Sequence, residues 1–129
     1  MKIFGIGSDI INIKRVEKSL KRNLSFKNKI FCKNEIDYCM NKKNSYSYFA
    51  KRYAAKEAFS KALGTGIRKG INFKNIEIFN DSKGKPYIKL KGDTYKYFKK
   101  KIINKKNKIY LTLSDDNPWA YATVIITYI

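Results

Sequence analysis

The stretch that most constrains this chain is FAKRYAAKEAFSKAL, Phe49 to Leu63, followed at once by Gly64-Thr65-Gly66. It contains no Gly or Pro and is rich in Ala, Lys, Glu and Leu, all strong helix formers. Glycine accepts the left-handed conformation that ends helices, so the helix is expected to stop at Gly64. A 3.6-residue period puts Ala55, Ala58, Phe59, Ala62 and Leu63 on one apolar face. Arg52, Lys56 and Ser60 fall on a second face at i, i+4 spacing, with Glu57 and Lys61 stacked beside them. Read alone, this is a core helix with a solvated, charged side. It carries one carboxylate among three cations and a hydroxyl.

At 129 residues the chain suits one domain, residues 1–129, with a modest core. Its apolar runs span only a few residues, so no membrane segment is expected, and the start, MKIFGIGSDI, meets Asp9 too early for a signal-peptide core. The only cysteines, Cys32 and Cys39, form neither a CxxC motif nor a disulfide framework. They read as reduced thiols of a cytoplasmic protein. There is no histidine, which excludes Ser-His-Asp and Cys-His catalysis and histidine-ligated zinc sites. Acid–base or metal chemistry must fall to Asp, Glu, Lys, Tyr or bound water.

The net charge of +19 suggests an acidic partner: nucleic acid, an anionic protein surface or a phosphorylated cofactor. Only Arg15, Arg22, Arg52 and Arg68 are arginines, and the remaining 25 of 29 cations are lysines. With Asn and Ile also abundant, a bias towards A/T-rich codons explains the charge equally well. Tyr and Phe among lysines motivate a small nucleic-acid-binding module as a rival reading. Against it, the aromatics follow no RNA-binding motif and the charge is spread along the chain.

Ile3 to Ile13 reads as a strand whose Gly5, Gly7 and Asp9 share one face. Such a face either leaves room for a ligand and then offers it a carboxylate, or marks crowded packing before a turn. Both readings stand at this point. Lys14 to Arg22 is a short amphipathic helix with Val16 and Leu20 inward, and Leu24 to Met40 holds two more helical pieces with Asn34 capping the second. NKKNSYS, Asn41 to Ser47, is a polar loop. Ile76 to Phe79 and Tyr87 to Leu90 form a hairpin around Asn80 to Pro86. Asp93 caps a helix from Thr94 to about Ile103, whose run Lys99-Lys100-Lys101 is a solvated face. Ile109 to Leu113 and Ala120 to Tyr128 are strands separated by Ser114-Asp115-Asp116-Asn117-Pro118, the last apolar on both sides as a central strand is. The expected fold class is α+β, one compact domain with an antiparallel sheet and a long central helix.

GIGSDI at Gly5 to Ile10, followed by Arg15, together with FAKRYAAKEAFSKALGTGI at Phe49 to Ile67, resembles the holo-acyl-carrier-protein synthases, the short bacterial 4′-phosphopantetheinyl transferases. The likeness continues through NIEIFNDSKGKPYI and LTLSDDNPWAYATVII and covers nearly the whole chain in order. It implies the 4′-phosphopantetheinyl transferase fold. It also implies transfer of the phosphopantetheine arm of coenzyme A to a serine of acyl carrier protein, with release of adenosine 3′,5′-bisphosphate. The same resemblance implies a Mg2+ cofactor, a place in fatty acid biosynthesis, and homotrimers whose subunits share active sites. No membrane or nucleic-acid partner is implied.

Residue by residue, Asp9 and Glu57 match the family's metal ligands and Lys61 a lysine near the pyrophosphate, and these three are the implied catalytic set. Mg2+ suits them, since it takes one or two carboxylates beside water and phosphate oxygens. Ser60 and Gly64 match positions lining the coenzyme site, and Arg52 is a further phosphate contact. Arg15 matches a basic residue that meets the acidic carrier protein. One departure stands out: Asp115 occupies the place of a family histidine near the coenzyme. It brings negative charge close to phosphates unless metal or lysine offsets it. Either that histidine is dispensable here or the enzyme is slower and more metal-dependent. The base for the serine hydroxyl is then a metal-bound water or a carboxylate such as Glu57. An inactive relative that binds carrier protein is the remaining alternative.

Overall fold

The computed structural model describes residues 1–68, 70–103 and 106–129. Its centre is an antiparallel sheet in the order β1–β5–β4, formed by Lys2–Asn12 (β1), Asn107–Asp116 (β4) and Trp119–Tyr128 (β5). Across one face runs α4, Ser45–Leu63, which packs mainly on β1 and β5. Three short helices, α1 (Ile13–Arg22), α2 (Leu24–Ile30) and α3 (Lys33–Met40), connect β1 to it. Beyond α4 come the hairpin β2–β3 (Ile76–Asn80 and Pro86–Leu90) and α5 (Gly92–Lys101).

The glycines of β1 serve close packing. A Cβ built on Gly5 would lie 1.8 Å from the Ala62 carbonyl oxygen, and one on Gly7 2.0 Å from that of Ala58. The helix therefore rests on bare strand backbone, with Ala on its side and Gly on the sheet's. This decides the open reading of Gly5, Gly7 and Asp9: helix backbone fills the space, and Asp9 emerges just past the crossing. Ala55, Ala58, Phe59, Ala62 and Leu63 are all buried, as the apolar period predicts, and Ala54 joins them, against Ala122, Val124 and Ile126 of β5.

The second face of α4 departs from expectation. Arg52, Lys56 and Ser60 are buried, because α3 and β2 cover them. Lys56 Nζ donates to Glu35 Oε1 at 2.8 Å and to the Phe73 carbonyl at 2.8 Å. The Glu35 carboxylate also accepts from the backbone N–H of Cys32 and of Ile78, so one acidic side chain ties α3, α4 and β2 together. Burial pushes the Lys56 ammonium below its usual range, and the Glu35 charge opposes that shift.

Element boundaries shift in places. α4 opens at Ser45 rather than Phe49, which shortens the expected Asn41–Ser47 loop. α3 is capped at Cys32, where Glu35 reaches back to the backbone, and not at Asn34. α5 begins at Gly92 after Lys91, so Asp93 sits in its first turn instead of capping it. Ser114, Asp115 and Asp116 pair with Tyr121, Ala120 and Trp119, leaving only Asn117-Pro118 as the turn. The central position of β5 agrees with its two-sided apolar sequence.

Candidate active site

The C-terminal end of α4 meets β1 at a polar cluster. Lys61 Nζ lies 3.0 Å from Asp9 Oδ1 and also donates to the Ser8 carbonyl at 3.0 Å. Its side chain is 51% exposed and that of Asp9 17%, so the pair opens to solvent. Glu57, one turn before Lys61, is half-buried and belongs to the same cluster. Burial raises its pKa above the ordinary carboxylate value, the nearby Asp9 charge adds to the rise, and Lys61 and the Tyr53 hydroxyl oppose it. Burial and the Glu57 charge likewise raise the Tyr53 phenol, while the Arg15 charge works the other way. Arg15 is exposed on α1. Two carboxylates face one lysine here, and a divalent cation suits that surplus of negative oxygen ligands.

The helix stop supports the cluster. Gly64 caps α4 in the left-handed region at φ 86°, and the backbone N–H groups of Thr65 and Gly66 return to the Ser60 carbonyl. Ser60 is itself buried, and its hydroxyl donates to the Glu57 carbonyl at 2.7 Å. Its observed role is therefore to hold the last turn on which Glu57 and Lys61 stand. Gly64 remains exposed beside them.

Arg52 and Asp115 lie elsewhere on the chain. Arg52, nine residues before Lys61, sits about 13 Å back along the helix at 1.5 Å per residue. Its guanidinium donates to Asn80 Oδ1 and stacks 4.2 Å from the Tyr38 ring, and its buried Nε has no hydrogen-bond partner among the described residues. It lines a cavity of about 330 Å³ together with Tyr38, Tyr48, Lys51 and Gly84. Lys51 Nζ is 3.1 Å from Asp115 Oδ1 and 4.1 Å from the Tyr48 ring centre. Asp115 pairs through Ala120 with the level of Ile11, two strands from β1 and about 10 Å away at usual strand spacing. The seven expected site residues therefore form two groups, Asp9, Glu57, Ser60, Lys61 and Gly64 at the C-terminal end of α4 and Arg52 with Asp115 near its middle.

Residues 5–124 match the profile of the 4′-phosphopantetheinyl transferase superfamily. The chain belongs to that superfamily. Among its relatives, the holo-acyl-carrier-protein synthase of Pelagibacter ubique is 42% identical over 126 residues, covering 98% of both chains. That of Wolbachia pipientis is 46% identical over 129 residues, covering 96% of this chain and 97% of its own. The crystal structure of the Neisseria meningitidis synthase superposes with a TM-score of 0.86 at 35% identity, over 97% of this chain and 98% of that one. The Helicobacter pylori synthase in complex with coenzyme A gives 0.81 at 35% identity, over 95% and 99%.

Within the phosphopantetheinyl transferase fold, three contributors escaped the sequence reading. Tyr53 stands at i, i+4 to Glu57, a spacing that signals the contact. Lys51 precedes Arg52 and was masked by the abundance of lysine. Glu35 sat in an unremarkable helix, and nothing local marks it as the partner of Lys56. No group of three or more acidic, Cys or His side chains suited to a metal occurs among the described residues; a cation at Asp9 and Glu57 would need further oxygen ligands from substrate or water.

Proposed function

We propose that this protein transfers 4′-phosphopantetheine from coenzyme A to a serine hydroxyl of apo-acyl carrier protein, releasing adenosine 3′,5′-bisphosphate. The observation that carries the reading is the 3.0 Å contact between Lys61 and Asp9, from segments 52 residues apart, with Glu57 one helical turn before Lys61, in a chain of this family. Asp9 and Glu57 hold Mg2+, which supplies charge neutralisation at the pyrophosphate. Lys61 sets a point charge on the phosphate oxygens. The serine oxygen bonds to the β-phosphorus, the bridging P–O bond breaks, and the bisphosphate takes the electron pair. Glu57, acting directly or through a neighbouring water, is our assignment for the group that receives the serine proton.

The Arg52 cavity takes the second anionic part of coenzyme A, the 3′-phosphate. Its support is the buried Arg52 Nε, without a hydrogen-bond partner among the described residues, and the adjacent Lys51 ammonium. A homotrimer brings the Asp9 end of one subunit towards the Arg52 cavity of the next and so completes one site. The outer sheet face supports this assembly, since Ile6, Ile10, Tyr110 and Tyr121 lie exposed on it. Arg15 and the surrounding positive charge receive the acidic carrier protein, and steering between opposite charges speeds encounter. The reaction belongs to the cytoplasm and to fatty acid biosynthesis; no helix among the described residues is long and apolar enough to cross a membrane. Intact-protein mass spectrometry of apo-acyl carrier protein with coenzyme A and Mg2+ tests the reading. One phosphopantetheine should be gained, and none after chelation. Sedimentation equilibrium tests the trimer, and a monomer at micromolar concentration would contradict it.

A further inference from the structure

Asp115 and Lys51 form an ion pair that separates two cavities. Lys51 lines the 330 Å³ cavity beside Arg52, and Asp115 lines another of about 290 Å³ with Glu17, Lys43 and Asn44. The Lys51 side chain is only 15% exposed and Asp115 is 40% exposed. Two contacts fix the ammonium: the carboxylate at 3.1 Å and the Tyr48 ring at 4.1 Å. A lysine has three N–H donors and the carboxylate engages one, so donors remain for an anion entering the cavity. Adding a bare carboxylate beside a phosphate site is unfavourable, whereas a carboxylate neutralised by a lysine is not.

We propose that Lys51 is a phosphate-binding residue for the 3′-phosphate of coenzyme A and that Asp115 is its positioning residue. Asp115 holds the Lys51 ammonium at the cavity wall, acting neither as proton acceptor nor as metal ligand. The inference rests on the placement of the 3′-phosphate in the Arg52 cavity given above. Two observations independent of that placement support it. Asp115 is separated by two strands from Asp9, and its carboxylate is already engaged by a lysine on the helix that carries Arg52.

The pair makes a signed prediction. Lys51→Ala removes a charge-assisted contact and exposes the Asp115 carboxylate to the phosphate. The KM for coenzyme A should rise about ten- to hundredfold, the range of a lost hydrogen bond to a charged group, with kcat within about threefold. With 3′-dephospho-coenzyme A, which lacks the phosphate, the same substitution should leave KM within about threefold. Adding Asp115→Ala to Lys51→Ala should lower the KM for coenzyme A again, because the unpaired carboxylate is gone. Asp115→Asn keeps an oxygen acceptor for the ammonium and should raise KM less than Asp115→Ala does.

The test measures kcat and KM for these variants with both coenzymes, using samples whose melting temperatures lie within a few degrees of wild type. A KM rise of equal size for the two coenzymes after Lys51→Ala, or a further rise on adding Asp115→Ala, would overturn the proposal. Calorimetric titration with adenosine 3′,5′-bisphosphate and with 5′-AMP reads the same groups without turnover. Wild-type preference for the bisphosphate that shrinks about ten- to hundredfold in Lys51→Ala supports the pair, and a preference unchanged in Lys51→Ala, or equal wild-type affinity for both nucleotides, overturns it. Absence of transfer from either coenzyme by folded wild type would instead sink the transferase reading, and the titration would still judge the pair.

Discussion

Two lysine–carboxylate pairs on the same helix have opposite fates. Lys56 and Glu35 are fully enclosed at 2.8 Å, and the Glu35 carboxylate also accepts from the backbone N–H of Cys32, the cap of its own helix, and of Ile78 on β2. Lys61 and Asp9 are 3.0 Å apart and open to solvent, with a second carboxylate close by. The enclosed pair has its polar atoms satisfied and no access for a substrate, so it sets the packing of α3 and β2 against α4. The open pair leaves lone pairs and charge to spare. Equal chemistry at nearly equal distance thus divides into structure and reactivity according to what covers it.

Breaking each pair should separate stability from activity. Glu35→Ala leaves the Lys56 ammonium buried without a counter-charge, and removing one partner of such a pair costs about 3–5 kcal/mol. Urea unfolding should register that loss, while transfer per folded molecule stays within a few-fold of wild type. Glu57→Ala should do the reverse, lowering kcat/KM about a thousandfold or more, equivalent to ~4 kcal/mol of transition-state stabilisation. Its melting temperature should be unchanged or higher, since a desolvated carboxylate beside Asp9 is removed. A large fall in stability after Glu57→Ala would erase the contrast.

Smaller changes sharpen the comparison. Lys61→Ala should cost under ~1 kcal/mol of stability, as exposed ion pairs do, yet reduce kcat about ten- to hundredfold. Gly7→Ala forces a Cβ against the Ala58 carbonyl and should destabilise by about 1–3 kcal/mol. It should also reduce transfer, because β1 sets the distance between Asp9 and α4. A pH-dependent effect concerns Cys39, buried on the enclosed side, whose thiol burial pushes up to about 12 from 9.0. The folded thiol keeps its proton where the unfolded one has lost it. Its contribution is therefore complete below pH 9 and falls as pH rises towards 12, by at most ~1.4 kcal/mol per pH unit. Unfolding free energies at pH 8 and 10 should show a shallower decline in Cys39→Ala than in wild type.

Much of the fold was legible because the local signals agreed with the global arrangement. The apolar period of α4, its glycine stop, the hairpin after Ile76 and the two-sided apolarity of β5 each match an observed element. The buried polar face of α4 was not legible. Burial of Arg52 and Lys56 depends on Glu35 and Asn80, partners supplied by distant segments that no local pattern links to them. The glycines of β1 were ambiguous for the same reason, since the atoms that crowd them belong to residues 58 and 62. Asp9, Glu57 and Lys61 were identifiable from motif resemblance, and their convergence came only with the crossing of β1 and α4. The split of Arg52 and Asp115 from that cluster follows from helix length and strand order, which motif spacing does not encode.

The most direct test of the open cluster as the reactive one is intact mass of apo-acyl carrier protein incubated with coenzyme A, Mg2+ and either wild type or Glu57→Ala. The account predicts one added phosphopantetheine with wild type and none with the variant at equal folded concentration. Equal modification by both proteins, or none by folded wild type, would contradict it.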